Sequence, residues 1–309
     1  MSGPGPVGLL VNPTAGRGAG FAAGARVRAE LRRLGHAVTD LSGPDLDAAR
    51  AAARRAAGEL QALVVVGGDG LVHAAVQEVA GTATALGIVP AGTGNDVARG
   101  LDLPLGDPVA AVAAVSAALR SGARRAVDAV RVRSAEGERW YASILASGVD
   151  ALVNERANAW RWPSGPARYT LAAVRELLVV RGLPLRVTLD GRVLEQEVLL
   201  VAVANTRCYG GGLAVAPGAD PADGLLDVVV VDALSTVPAV RLFTKLRPGE
   251  HLGSPAVRVH RARTVRLEPL EAAAGARRAR LPRPHADGEP VGRLPLTCEV
   301  VPAALRVLA

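Results

Sequence analysis

From Val7 onward the chain alternates short apolar runs with longer stretches in which apolar residues recur every three or four positions. Runs of the first kind stand near 7–11, 36–41, 62–66, 86–89 and 127–133, and stretches of the second kind near 20–34, 46–58, 71–80 and 107–121. Strand alternating with helix in this way predicts a parallel sheet covered by helices. After Asp128 the texture changes to shorter β-type runs: Val130–Val132, Leu185–Leu189, Val198–Ala204, Asp227–Asp232, Thr264–Leu267 and Leu296–Val301. Asp190-Gly191, between two such runs, marks a hairpin. A helical period returns once, over Tyr169–Val180, with Leu171, Val174, Leu177 and Leu178 on its apolar face. The pattern predicts an α/β domain over 1–127 and a β-rich domain over 128–301, with 270–284, rich in Ala, Arg and Pro, as a poorly packed loop.

Three of the strand ends carry chemistry. Leu63-Val64-Val65-Val66 runs into Gly67-Gly68-Asp69-Gly70, and a helical pattern follows. A strand that stops in a glycine turn ahead of a helix offers backbone N–H groups with no side chain in the way, and phosphates bind such places. A carboxylate inside the turn fits an anion cradle if a cation such as Mg²⁺ bridges it to the phosphates; it also fits a helix N-cap. A second turn, Ala91-Gly92-Thr93-Gly94-Asn95-Asp96, follows Leu86–Pro90, and offers hydroxyl, amide and carboxylate groups to a nucleotide. Asn95 and Asp96 are equally placed to cap a helix. A third, Asn12-Pro13-Thr14-Ala15-Gly16-Arg17-Gly18, follows the first strand. An open α/β sheet gathers such turns at its carboxyl edge, where ligands bind.

Composition narrows the partners. In 309 residues, 50% are hydrophobic and 3% aromatic, so sizeable cores can form and stacking platforms are scarce. A net charge of +7 suits an anionic partner, nucleic acid or an anionic membrane surface. The basic residues are scattered, with one small cluster at Arg277, Arg278, Arg280 and Arg283 and no interleaved aromatics, so nucleic acid is not expected. Cys208 and Cys298 lack metal-type spacing and read as thiols of a reducing cytoplasm. No leader peptide or bilayer-spanning run is expected, so any contact with lipid is peripheral.

At this point the residues resemble the diacylglycerol kinase catalytic family, the lipid kinases that include bacterial diacylglycerol kinases and the sphingosine and ceramide kinases. The resemblance rests on Asn12-Pro13 with Gly16, Gly67-Gly68-Asp69-Gly70, Gly92-Thr93-Gly94-Asn95-Asp96 with Ala98-Arg99, and Gly148-Val149-Asp150-Ala151. It continues through Asn205 with Tyr209-Gly210-Gly211-Gly212, Ala216-Pro217, Asp223-Gly224-Leu225-Leu226-Asp227 and Asp287-Gly288-Glu289. It implies an NAD-kinase-like α/β nucleotide-binding domain beside a β-sandwich-like C-terminal domain, with the active site in the cleft between them. The last strands, near 302–309, would return to complete the first domain.

The resemblance also implies roles. ATP would be held by Asn12, Gly16, Ser42, Gly67, Gly68, Asp69, Gly70, Leu71, Val72, His73, Ala74, Thr93 and Asn95, with Asp69 bearing the associated Mg²⁺. Glu289 would be the general base, with Asp287 beside it as a metal or orienting ligand; the plain alternative is a hairpin turn. Asp220, Asp223 and the carbonyl of Leu225 match a structural Mg²⁺ loop, or a solvated acidic loop. Two positions depart from the family pattern: Leu71 where threonine is usual, and Ala74 where glutamate is usual. The expected function is ATP-dependent, Mg²⁺-dependent phosphorylation of the free hydroxyl of diacylglycerol or a related lipid, at the inner membrane face, by a cytoplasmic, peripherally bound enzyme; a homodimer is left open. The alternatives are a kinase of another hydroxyl compound (a sphingoid base or NAD), or a nucleotide- and lipid-binding regulator weakened by Leu71 and Ala74.

Overall fold

The computed structural model describes residues 5–12, 19–160, 162, 171–176, 182–270 and 281–309. They form two compact units, Met1–Ala129 with Pro302–Ala309, and Val130–Val301.

The first unit is built on parallel strands β1 (Val7–Val11), β2 (Val38–Asp40), β3 (Ala62–Gly67) and β4 (Ala85–Pro90), in the order β2-β1-β3-β4. β3 and β4 are buried at every position, as strands covered on both faces must be, and this explains their unbroken apolar runs. Helices α1 (Ala19–Arg33), α2 (Leu46–Ala56), α3 (Asp69–Val79), α4 (Asp96–Gly100) and α5 (Pro108–Ser121) connect or flank the strands. Their ends obey local rules. Asp45 caps α2 through the Ala48 N–H, Asp107 caps α5 with Pro108 at its first position, and Gly122 ends α5 at φ 78°. The core joins Leu9, Val64 and Val66 of the sheet to Val27 and Leu31 of α1 and Val115 and Leu119 of α5.

The chain end completes this sheet. Val307 pairs in parallel with Leu86, and Leu308 N donates to Leu86 O at 2.9 Å. The return is anchored where Ala303 takes a left-handed conformation (φ 53°) and donates its N–H to the buried Asp128 carboxylate at 2.8 Å.

The second unit is antiparallel. Its axis is the long strand β9 (Arg192–Ala204), which pairs first with β8 (Leu183–Leu189) and then with β7 (Ile144–Gly148) and β10 (Leu226–Asp232). β11 (Val257–Ala262) borders β10, while β12 (Thr264–Pro269) joins β8 to the first part of β15 (Leu296–Val307). β5 (Arg125–Ser134) and β6 (Gly137–Tyr141) form a hairpin, as do β13 (His285–Ala286) and β14 (Glu289–Pro290). Val201, Val203, Val228 and Val230 share one core with Leu185, Val187 and Leu267. Leu200, Ala202, Val229 and Val231 share a second core with Val149 of α6 (Val149–Ala159) and Leu242 of the helix Thr236–Thr244. Two covered faces account for the continuous apolar texture of Val198–Ala204 and Val228–Val231. Asp190-Gly191 does form the β8–β9 hairpin, with φ of 47° and 91°, and both signs are those a type I′ turn needs.

One helix turns the other way round. Of the stretch expected over 169–180, residues 171–176 are described and helical, but Leu171 and Val174 are 47% and 38% exposed while Ala172 and Ala173 are buried. Among the described residues of this stretch, Ala172, Ala173 and Glu176 form the buried face, and Glu176 pairs with Arg156 of α6. Leu177 and Leu178 lie outside the described residues, as do Arg277, Arg278 and Arg280 of the basic cluster and most of the 270–284 segment. No helix among the described residues is long and apolar enough to cross a membrane.

Candidate active site

In the first unit the carboxyl ends of four adjacent strands carry Ser42, Asn12, Gly67-Gly68 and Ala91–Asn95. Backbone bonds tie them together: Asn12 N donates to Val66 O and Ala91 N to Gly67 O, each at 2.9 Å. The Ser42 hydroxyl accepts the Val11 N–H at 2.9 Å and so steadies the end of β1. Gly16 lies outside the described residues.

The two glycine turns meet through bare backbone. A Cβ placed on Gly92 would come 2.5 Å from the Gly68 Cα, and one on Gly68 would come 3.1 Å from the Gly92 Cα. Asn95, in the left-handed region at φ 53°, braces the second turn: its Oδ1 accepts the Gly92 N–H at 3.0 Å and its Nδ2 donates to Gly92 O at 2.9 Å. Its amide therefore shapes the turn, and Thr93, exposed at the tip, is the side chain this turn presents outward.

Asp69 opens α3 but does not cap it; the N-cap residue is Gly68, and no described side chain caps that end. Its Oδ1 instead accepts the Val97 N–H, at 3.3 Å, at the start of α4. Its Oδ2 lies over Gly94, where a Cβ would come within 2.7 Å. The carboxylate is thus held between both glycine turns, with the N-terminus of α3 beside it. Hard carboxylate oxygens beside an anion-binding turn are the usual protein share of a Mg²⁺–phosphate site, so Asp69 fits that ion. Of the run expected to line the phosphates, Gly68, Asp69 and Gly70 are partly exposed, whereas Leu71, Val72, His73 and Ala74 are buried in the body of the unit. Their side chains join the core, so it is the backbone of this first stretch of α3 that is left to face a nucleotide.

In the second unit Asp287 and Gly288, with φ of 53° and 86°, form the two-residue turn between β13 and β14. The buried Asp287 carboxylate accepts three hydrogen bonds: from Ala142 N at 3.1 Å, from Ser143 N at 2.9 Å, and from the Ser143 hydroxyl. These bonds hold the carboxylate in one orientation. Glu289 begins β14 opposite Ala286 and stays partly exposed.

The acidic loop is organised from within. Asp220 accepts the Ala222 N–H at 3.0 Å and Asp223 the Leu225 N–H at 2.9 Å, while the other Asp223 oxygen pairs with Arg261 of β11. Arg261 also lies 3.8 Å from Asp227, whose carboxyl is pushed by burial above the usual carboxylate range, against the pull of that guanidinium. Among the described residues no group of three or more His, Cys, Asp or Glu side chains is arranged to hold a metal. Arg261 offsets one of the loop's three carboxylates, so the loop that carries Asp220, Asp223 and the Leu225 carbonyl stays net negative.

Two family models cover almost the whole chain: the diacylglycerol kinase catalytic domain over residues 6–132, and the YegS C-terminal NAD kinase beta sandwich-like domain over residues 143–309. The chain belongs to the diacylglycerol kinase catalytic family. A protein of Mycobacterium tuberculosis named diacylglycerol kinase is 40% identical over 307 residues, covering 98% of this chain and 95% of the relative. A solved structure from Bacillus anthracis, described as a diacylglycerol kinase, matches with a TM-score of 0.72 at 19% identity, covering 100% of this chain and 98% of that one. An NAD kinase from Archaeoglobus fulgidus, solved in complex with ATP, shares the fold at a TM-score of 0.53 and 12% identity, covering 97% and 92%. The chain is thus a member of a lipid kinase family, with a nucleotide-binding α/β domain followed by a β-sandwich-like domain.

Within that diacylglycerol kinase framework, two residues stand out that the sequence did not single out. Ser143 was invisible, because its partner Asp287 is 144 positions away. In the sequence Asp150 stands only within the run Gly148-Val149-Asp150-Ala151. It lies in the first turn of α6, its carboxyl pushed up to about 7 by burial, and Oδ2 has no hydrogen-bond partner among the described residues. The residue as a whole is only partly buried; the sealed part is that carboxylate oxygen. An acidic residue inside a small-residue motif was the one available signal.

Proposed function

We propose that this protein is an ATP-dependent lipid kinase that transfers the γ-phosphoryl group to the free hydroxyl of diacylglycerol, giving phosphatidate. The observation that carries the reading is the pair of glycine turns in backbone contact, with the Asp69 carboxylate pinned between them. Phosphoryl transfer asks the protein mainly for positioning and for neutralisation of charge. Gly68, Gly70 and Thr93 offer backbone and hydroxyl groups to the phosphates at a helix N-terminus, where anions are favoured. Asp69 is the residue that would hold Mg²⁺, which when bound neutralises phosphate charge.

Glu289 accepts the lipid hydroxyl's proton as the new O–P bond forms, since an alcohol is too weak an acid to lose it beforehand. Asp287 keeps Glu289 in place. The bilayer is met from its surface: the formal charge of +7 favours an anionic leaflet, each basic residue near it contributing about 1 kcal/mol. The enzyme then acts at the inner membrane face of the cell.

Two variants test it. Asp69→Asn keeps shape and removes charge; it should weaken Mg²⁺–ATP binding and abolish most turnover with the fold intact. Glu289→Gln should bind ATP normally and lose about 10²- to 10⁴-fold in rate, the usual contribution of a general base. The measurement is single-turnover phosphorylation of diacylglycerol in mixed micelles at saturating ATP. Near-wild-type turnover by Asp69→Asn would remove the glycine turns from the reaction, and by Glu289→Gln would remove the base.

A further inference from the structure

Residues Ala142 and Ser143 link β6 to β7, and two other parts of the second unit converge on them. From one side the Asp287 carboxylate accepts both of their N–H groups and the Ser143 hydroxyl. From the other, Asn205 donates its side-chain Nδ2 to Ala142 O at 2.8 Å, and the backbone N–H groups of Asn205 and Thr206 donate to Ser143 O at 2.9 and 3.2 Å. Ser143, Asn205, Thr206 and Asp287 are all nearly sealed from solvent, at 1%, 1%, 0% and 6% exposure. Hydrogen bonds to a buried carboxylate are strong, and loosening one leaves a charge with no water to replace it. The Asp287-Gly288 turn is thereby bolted to the β6–β7 link instead of swinging as a hairpin tip.

We propose that Ser143 and Asp287 form a positioning pair that fixes the turn from which Glu289 projects, so that the pair governs turnover without touching substrate. The proposal rests on the reading of Glu289 as base. Glu289 stands two residues after Asp287, on a strand pair of only two residues each. β13 also pairs with β7 at His285 and Ala286, but neither two-residue ladder includes the turn itself; the clamp on Asp287 holds the turn. The positive φ at Asp287 is a conformation that Asn adopts about as readily as Asp. This separates the two effects experimentally. Asp287→Asn keeps the turn's backbone preference but turns an N–H toward Ala142 N or Ser143 N, where only an acceptor fits.

The test measures kcat, the KM for ATP and melting temperature for Ser143→Ala, Asp287→Asn and Glu289→Gln, and for the double variants Ser143→Ala/Asp287→Asn and Ser143→Ala/Glu289→Gln. Expected is a fall of about ten-fold or more in kcat for each of the first two, with the KM for ATP unchanged. Their double variant should be little worse than either alone, as members of one unit behave. In the Glu289→Gln background, Ser143→Ala should cost nothing further, since there is no base left to position. Wild-type kcat in both Ser143→Ala and Asp287→Asn overturns the proposal. So does a loss from Ser143→Ala that is as large with Gln at 289 as with Glu, which marks a general structural role. A Glu289→Gln variant that turns over normally overturns the base itself and the pair's role through it, a pattern distinct from either. If Ser143→Ala does not fold, Asp287→Asn and Ser143→Cys, a same-sized weak donor, carry the same comparison.

Discussion

The two places where this chain gathers chemistry are held together by opposite means. Around Gly68 and Gly92 the structure works by removing side chains: bare backbone from neighbouring strand ends comes into contact, and a carboxylate settles over a third glycine. Around Asp287 it works by adding them: a carboxylate reaches into the fold and is gripped by a serine and two peptides from far along the chain. The glycine contact is intolerant of any added volume. The clamped turn has open space at its tip, Gly288, where only the left-handed backbone (φ 86°) resists a side chain, but it fails if one acceptor becomes a donor. Steric sites and hydrogen-bonded sites should therefore break under different substitutions.

The largest effect is expected at the steric site. Gly92→Ala must drive a Cβ into the Gly68 backbone, and backbone cannot turn aside as a side-chain tip can; it should destabilise by roughly 3 kcal/mol or more and abolish nucleotide-dependent turnover. Gly58, with open space around the position of its Cβ, is the control: Gly58→Ala should stay within about 0.5 kcal/mol. Chemical denaturation of both variants checks this, and equal stabilities would show that the glycine contact is dispensable.

A mid-sized effect is expected from the buried carboxyl that neither arrangement uses. Burial pushes the Asp150 carboxyl up to about 7, above the ordinary aspartate value of 3.8. A raised carboxyl pKa means that the native state binds the proton more tightly. The resulting stability is fully present below about pH 4 and is lost as pH rises through about 7. Asp150→Asn should remove that loss and gain on the order of 1–3 kcal/mol at about pH 8 relative to the parent, with little change at about pH 4. Thermal melts across that range decide it; parallel curves for the two proteins would show that the carboxyl is solvated.

The smallest effect is expected at the acidic loop, which is hydrogen-bonded but near the surface. Asp223→Ala loses one turn-forming bond and an ion pair whose partners are 27% and 48% exposed, so about 1 kcal/mol is the expected cost. With Arg261 as the partner of Asp223, chelator should leave the melting temperature of both proteins unchanged. A fall of several degrees in the parent alone would instead mark a bound cation.

Much of the fold was legible because it depends on local order. The alternation up to Ser121, the change of texture after Asp128 and the Asp190-Gly191 turn follow from periods of two and 3.6 residues and from backbone preferences that neighbouring residues impose. The Gly67-Gly68-Asp69-Gly70 turn was legible for the same reason, and family membership was carried by ordered motifs. What the sequence by itself determined, then, is which segments are strands, helices and tight turns, and which turns are free of side chains. Only the tertiary structure decided what those segments do to one another: that Asp69 caps the next helix instead of its own, that Asn95 braces its turn, that Arg261 occupies the acidic loop, and that Leu171 and Val174 face outward while two alanines face in. The reason is the range of the interactions. Periodicity and turn preference act over a few residues. A hydrogen bond from Ser143 to Asp287, or a Cα of Gly68 against Gly92, exists only after strands distant in sequence have been laid side by side.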